Sequence, residues 1–209
     1  MLEKKAVTRV AIADLLARRW SPRAFDAARP VTRDQLIALL EAARWAPSCN
    51  GDEPWRFLIW DRITDSAGWQ RAYDCLAEGN RKWAVNAPVL MLSCAGSIFG
   101  HNGKPNRYAQ YDTGMAAMSL CVQAVALGLV VHQMGGFDAD KARTTFAIPA
   151  EYTPLAMIAV GYQAEVSVLP EDFKVKELAP RQRKPLAECF YSDTWGMPIG
   201  QAPVSGSPF

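Results

Sequence analysis

Most of the chain sets apolar residues at helical or strand spacing, and one stretch departs from both patterns. From residue 113 to 131, 19 consecutive residues carry no formal charge, and Gly114, Ala116, Ala117, Ser119, Ala124 and Ala126 keep the side chains small. A helix that is apolar on every face is a buried one. Small side chains also admit close approach by a neighbouring backbone, so the pattern predicts a central helix packed on several sides, by its own chain or by a second copy. The stretch nears the ~20 residues of a bilayer span, but Ser119, Gln123, Gly114 and Gly128 argue against one. Residues 129–131 are apolar and partly β-branched and predict a strand that runs into Met134-Gly135-Gly136. There a glycine pair would let a flat ligand approach backbone N–H groups.

Earlier in the chain, Val10, Ile12, Leu15 and Leu16 predict an amphipathic helix over 10–19 that ends in a basic cluster, RRWSPRAF at 18–25. Three arginines and a hydroxyl beside a Pro-broken turn suit either a phosphate clamp or a solvated helix end. Thr32 with Gln35 three residues on predicts a capping box, and Leu36, Ile37, Leu39, Leu40 and Ala43 form the buried face of the helix it opens. The loop 47–54 lies between two prolines and leads into a strand over 55–60. A helix starting at Asp65 or Ser66 follows, then Gly79-Asn80-Arg81-Lys82-Trp83 and a strand over 88–93. Residues 96–107 are rich in Gly, Asn and basic groups and predict a mobile flap over a site. Asp138 caps a short helix, residues 154–160 (PLAMIAV) read as a central strand, and 186–191 as a helical turn or two. The expected organisation is one domain over 1–209 with an extended C-terminal tail from about residue 192.

Composition narrows the chemistry. With 209 residues and 50% hydrophobic content the chain can bury a sizeable core. A net charge of +2 and a pI near 8.3 give no broad basic field, which speaks against nucleic acid as a partner and makes any anion site local. The five cysteines form no CxxC pair, and with only His101 and His132 beside them neither a disulfide framework nor a zinc site is expected. Cys49 reads as a small packed thiol rather than a nucleophile. Residues 1–20 interleave acids and bases among apolar positions and resemble no secretory leader, so the expected compartment is the cytoplasm, with no membrane partner. No GxGxxG or GxSxG occurs, and Gly103-Lys104 lacks the earlier glycine of a phosphate loop because that position is Ile98.

RRWSPRAF, APSCNGDEPWRF, GNRKW, ALGL running to QMGGFD, and RQRKP stand in an order that resembles the nitroreductase family of FMN-dependent oxidoreductases, from about residue 15 to 185. The resemblance implies an α+β sandwich with a mixed, mostly antiparallel sheet between helices, and an intertwined homodimer with FMN at each of two shared interfaces. It further implies that Arg19 meets the FMN phosphate, with Ser21 and Trp20 in the same motif, and that Arg23 reaches the pyrimidine edge of the ring. Pro47, Ser48, Cys49, Asn50 and Gly51 would contact the flavin from the partner subunit, and Asn80 would offer a ring-contact amide. Gln133, Met134, Gly135 and Gly136 would lie over the central edge with a backbone N–H near N5, and Arg181 and Arg183 would complete the phosphate clamp. The chain departs from the family pattern in four places: the usual loop asparagine falls at Gly51 with Asn50 one place early, Glu53 stands where glutamine is common, Trp20 replaces a basic or small polar residue, and Trp83 a lysine.

The implied activity is transfer of a hydride from NADH or NADPH through flavin N5 to a nitroaromatic, quinone or activated-alkene acceptor, by a ping-pong cycle with no protein acid–base group. Alternatives on the same fold are a flavin-dependent dehalogenase, a flavin-consuming enzyme and a non-catalytic flavin-binding dimer.

Overall fold

The computed structural model describes residues 2–199 and divides between Ala179 and Pro180 into two compact units. The first unit is built on four strands, β1 (Trp55–Asp61), β2 (Val89–Gly96), β3 (Val130–Met134) and β4 (Tyr152–Gly161), in the order β1-β2-β4-β3. All three pairings are antiparallel, so the sheet holds no parallel pair among the described residues of one chain. Every residue of β2 is buried, because helices cover both faces. Alternation sorts its side chains: Leu90, Leu92 and Cys94 enter one apolar cluster, Val89 and Met91 the other.

The first cluster joins the sheet to α3 (Ser66–Tyr73), α4 (Glu78–Ala84), α6 (Ala139–Thr145) and α7 (Glu171–Leu178) through Trp69, Trp83, Ala142 and Phe173. The second joins it to α2 (Arg33–Arg44) and α5 (Ala109–Ala126) through Leu39, Ala43, Ala116, Leu120 and Ala124. This is the expected α+β sandwich. The caps follow the sequence closely. Thr32 Oγ1 accepts from Gln35 N at 3.2 Å while Gln35 Oε1 accepts from Thr32 N at 3.0 Å, and Asp65 and Asp138 cap α3 and α6. Pro154 sits in β4 where β3 no longer pairs with it, and a bulge opposite Ser93 and Cys94 absorbs the disturbance.

Three expectations change. The first helix, α1, covers only Asp14–Arg18, since Val10 and Ile12 stay exposed and find no apolar partner to pay for helix ordering. Residues 96–107 form a hydrogen-bonded turn rather than a loose flap. Ile98 bridges Pro105, Asp52 Oδ1 accepts from Gly100 N at 2.8 Å, and Asp52 Oδ2 accepts from Asn106 Nδ2 at 3.1 Å. In the second unit the tail folds back on itself over 190–199, with a Tyr191–Pro198 bridge and Ile199 N donating to Phe190 O at 3.0 Å; the rest of the expected tail, 200–209, lies outside the described residues. No helix among the described residues is long and apolar enough to cross a membrane.

α5 is buried on only part of its circumference in the single chain. Ala116, Leu120 and Ala124 are fully covered, while Tyr111 is 68% and Met118 39% exposed and Gly114 lies open between them.

Candidate functional site

The predicted site residues gather into separate groups. In the first, α1 delivers Arg19, whose Nη1 donates to Ser21 Oγ at 3.3 Å; no salt bridge engages this guanidinium among the described residues. The next residue, Pro22, is buried, and its carbonyl faces His132 Nδ1 at 3.0 Å. His132 lies on β3 immediately before Gln133 and packs against Trp83 with ring centroids 4.5 Å apart. Burial pushes the His132 pKa down to about 4; the bond to the Pro22 carbonyl opposes that and the nearby Arg23 charge adds to it. The ring is therefore neutral near pH 7, with Nδ1–H donating to Pro22. Trp83, which stands where the family pattern often has lysine, is 1% exposed and belongs to the core, packed against Phe25 and His132.

α4 carries both Trp83 and, one turn earlier, Asn80. Asn80 Nδ2 donates to Gly136 O at 2.9 Å, and Ala77 N donates to the same carbonyl at 3.0 Å. A Cβ at Gly136 would lie 2.8 Å from Asn80 Nδ2, so a side chain there would push the Asn80 amide from its place. Gln133 is exposed and its Nε2 reaches Cys121 Sγ on α5 at 3.3 Å. Met134 turns its side chain into the core, leaving only its backbone to face a ligand, while Gly135 is open, with nothing within 4 Å of an added Cβ. A cavity of about 80 Å³ lies beside this group, lined by Lys4, Arg18, Arg19, Trp20, Cys121 and Leu129, and Lys4 Nζ stands 4.7 Å above the Trp20 ring.

The second group is the loop 47–53. Cys49 N donates to Asp112 Oδ2 at 3.0 Å, and Ser48 Oγ accepts from Glu53 N at 3.1 Å. Asn50 (φ 55°), Gly51 (φ 65°) and Glu53 (φ 48°) are all left-handed, which displays Asn50 and Gly51 on the surface. The two groups are anchored at different points of α5, and no hydrogen bond joins them among the described residues. The loop is tied to Asp112 in the first turn of α5, whereas Gln133 contacts Cys121 nine residues later, about 13 Å along the helix. Arg181 and Arg183 belong to the second unit, where Arg183 is exposed and its Nη1 donates to Gln182 O at 2.7 Å.

Burial raises the thiols of Cys75 and Cys121 and pushes Cys94 up to about 11, as expected of packed, unreactive sulfurs. Three further residues shape the site although sequence pattern did not single them out as site residues. Asp112 is 2% exposed and holds the loop; its signal was its place as the last charge before the uncharged run. His132 ties the arginine turn to β3. Glu177 on α7 is 0% exposed, and its Oε1 accepts from Arg23 N at 2.7 Å and Ala24 N at 3.2 Å. Nothing in the polar run EDFKVKEL marks it.

The described donors suit a flat, phosphate-bearing group: a guanidinium free of carboxylates, a second arginine, a hydroxyl, and an open glycine backbone. The chain matches the model of the nitroreductase family over residues 16–162. It is 32% identical over 124 residues to a 15.4-kDa protein of Mycolicibacterium smegmatis of uncharacterized function, covering 59% of this chain and 82% of that one. It is 24% identical over 161 residues to a Ralstonia nicotianae protein provisionally named NADH dehydrogenase/NAD(P)H nitroreductase, covering 68% of this chain and 81% of that one. A crystal structure described as an oxidoreductase containing FMN superposes with a TM-score of 0.85 at 35% identity, over 91% of this chain and 96% of that chain.

Proposed function

Because the chain belongs to the nitroreductase family, we propose that it is an FMN-dependent NAD(P)H oxidoreductase working as a homodimer, each site drawing on both chains. One chain would supply Arg19, Ser21, Arg23, Asn80, Gln133, Gly135 and Gly136, and the other the loop of Pro47, Ser48, Cys49, Asn50 and Gly51. The oxidoreductase class, FMN and NAD(P)H accord with the relatives. The observation that carries the two-chain reading is the separation of the two groups along α5. A two-fold axis across α5 would run two copies antiparallel, so the loop at the start of one helix would meet the arginine group at the middle of the other. The exposed stripe of Tyr111, Gly114 and Met118 offers the face for that contact. The cavity of about 80 Å³ beside Arg19 is also far below the ~300 Å³ of a usual small-molecule site, in keeping with a site completed by a second chain.

In this reading Arg19 holds the FMN phosphate by forked, charge-assisted hydrogen bonds. Arg23 places positive charge at the pyrimidine edge, and the backbone at Gly135 and Gly136 floors the ring. Bound FMN supplies the redox chemistry, accepting a hydride from NAD(P)H and passing it to a nitroaromatic, quinone or activated alkene. With a single glycine-floored pocket, donor and acceptor enter in turn, so parallel double-reciprocal plots are expected.

The test is to purify the protein, record its visible spectrum, and mix it anaerobically with NADH and with NADPH before adding an acceptor panel. A yellow dimer that bleaches and recovers its colour fits the proposal. A protein that binds no flavin, or a flavoprotein that neither nucleotide bleaches, overturns it.

A further inference from the structure

Among the described residues, Glu177 is the one carboxylate buried completely beside the arginine group. It comes from α7, beyond the span matched to the family model. Its two oxygens do different things. Oε1 accepts from the backbone N–H groups of Arg23 and Ala24, fixing the turn that carries Arg23. Oε2 has no hydrogen-bond partner and lies 3.7 Å from Arg23 Nη1. Phe173, one helical turn earlier, places its ring 6.0 Å from the same guanidinium, and Lys4 Nζ donates to the Glu177 backbone carbonyl at 2.8 Å, so side chain and main chain of Glu177 are both held.

A buried carboxylate with one oxygen unsatisfied is costly to keep as an anchor alone. Glutamine would keep an acceptor for the two backbone donors at the same length, without the charge. What glutamine lacks is the field at Arg23.

We propose that Glu177 is a positioning residue that sets the reduction potential of the flavin by partly neutralising Arg23. The inference rests on the reading above, in which Arg23 faces the pyrimidine edge. Two-electron reduction of the ring with uptake of one proton at N5 leaves a negative charge over that edge, which an uncompensated Arg23 would stabilise more strongly. Glu177, fixed behind the guanidinium, tempers this and keeps the reduced cofactor a better donor to its acceptor.

The experiment measures midpoint potential by dye equilibration on FMN-loaded parent, Glu177→Gln and Glu177→Asp, with FMN affinity of the apo-proteins read separately by fluorescence titration. For Glu177→Gln the preference for reduced over oxidised FMN should rise about tenfold, equivalent to about 30 mV upward for a two-electron couple, with oxidised-FMN affinity little changed. Glu177→Asp draws the carboxylate back by one methylene and should give a smaller rise of the same sign, a result that stands even if the glutamine variant fails to fold. If Glu177 is only an anchor, the pattern inverts: the glutamine variant keeps the parent potential and the aspartate variant loses FMN affinity without moving it. Either of those results overturns the proposal. A parent protein that binds no FMN would instead defeat the functional reading, and is seen before any variant is compared.

Discussion

The two groups at opposite stations of α5 are held by different means. The arginine group is cross-braced from three elements: Pro22 by His132, Arg23 by Glu177, and Gly136 by Asn80. The loop 47–53 is held by the bond of Cys49 N–H to Asp112, by the bonds Asp52 accepts from Gly100 and Asn106 of a neighbouring surface turn, and by its own turn hydrogen bonds, with Asn50 and Glu53 in a backbone conformation that costs non-glycine residues on the order of 1 kcal/mol. The first is positioned by burial. The second is positioned by two carboxylates, one of which ties it only to another surface turn, and by stored backbone strain, and so is the part best suited to adjusting when a ligand or a second chain arrives.

The largest expected effect sharpens the braced side. The folded pKa of His132 is about 4 against an ordinary 6.5, so between those values the unfolded chain binds a proton that the folded one does not. The stability this residue contributes is complete above pH 6.5 and is lost as pH falls toward 4, by roughly 3 kcal/mol. Denaturant midpoints at pH 7 and 4.5 should show a steeper loss for the parent than for His132→Asn, which keeps a donor near Pro22 but cannot titrate. Equal slopes would mean the imidazole is not held neutral.

Next come the phosphate contacts. Arg19→Ala should remove a charge-assisted bond of about 1.5–3 kcal/mol, hence roughly tenfold to a hundred-and-fiftyfold in FMN affinity. Lysine should restore it only in part. Variants that fold by circular dichroism yet bind FMN like the parent would remove the clamp.

On the loop side, Asp112→Asn keeps an acceptor for Cys49 N–H but loses the charge, at about 1 kcal/mol. It should loosen the loop, seen as faster hydrogen exchange at Cys49, while leaving exchange at Gly136 unchanged. A matching change at Gly136 would mean the two groups are coupled through α5. Smallest in its effect on the site is Thr32→Ala. Loss of the capping box should cost about 1 kcal/mol of stability, read from thermal unfolding, with no change in FMN affinity.

What could be read from the sequence follows the reach of each interaction. Thr32, Asp65 and Asp138 announce their caps because donor and acceptor are three residues apart, and the five motifs of the FMN-binding pattern are local strings. The partners of Glu177 and His132 lie 154 and 110 residues away, and no periodicity links them. Val10 and Ile12 illustrate the opposite error: their helical spacing is real, but without a surface to cover it orders nothing. The folded-back turn at 96–107 was hidden for a similar reason, since its anchor, Asp52, sits in another loop.

The nine residues separating Asp112 from Cys121 carry a genetic consequence. If every site borrows one group from each chain, a variant damaged in the arginine group and another damaged in the loop should complement one another when mixed. Each mixed dimer would hold one site with both defects and one with neither. Random exchange makes half the dimers mixed, so about a quarter of all sites regain function from two inactive parents. A site built within one chain would regain none.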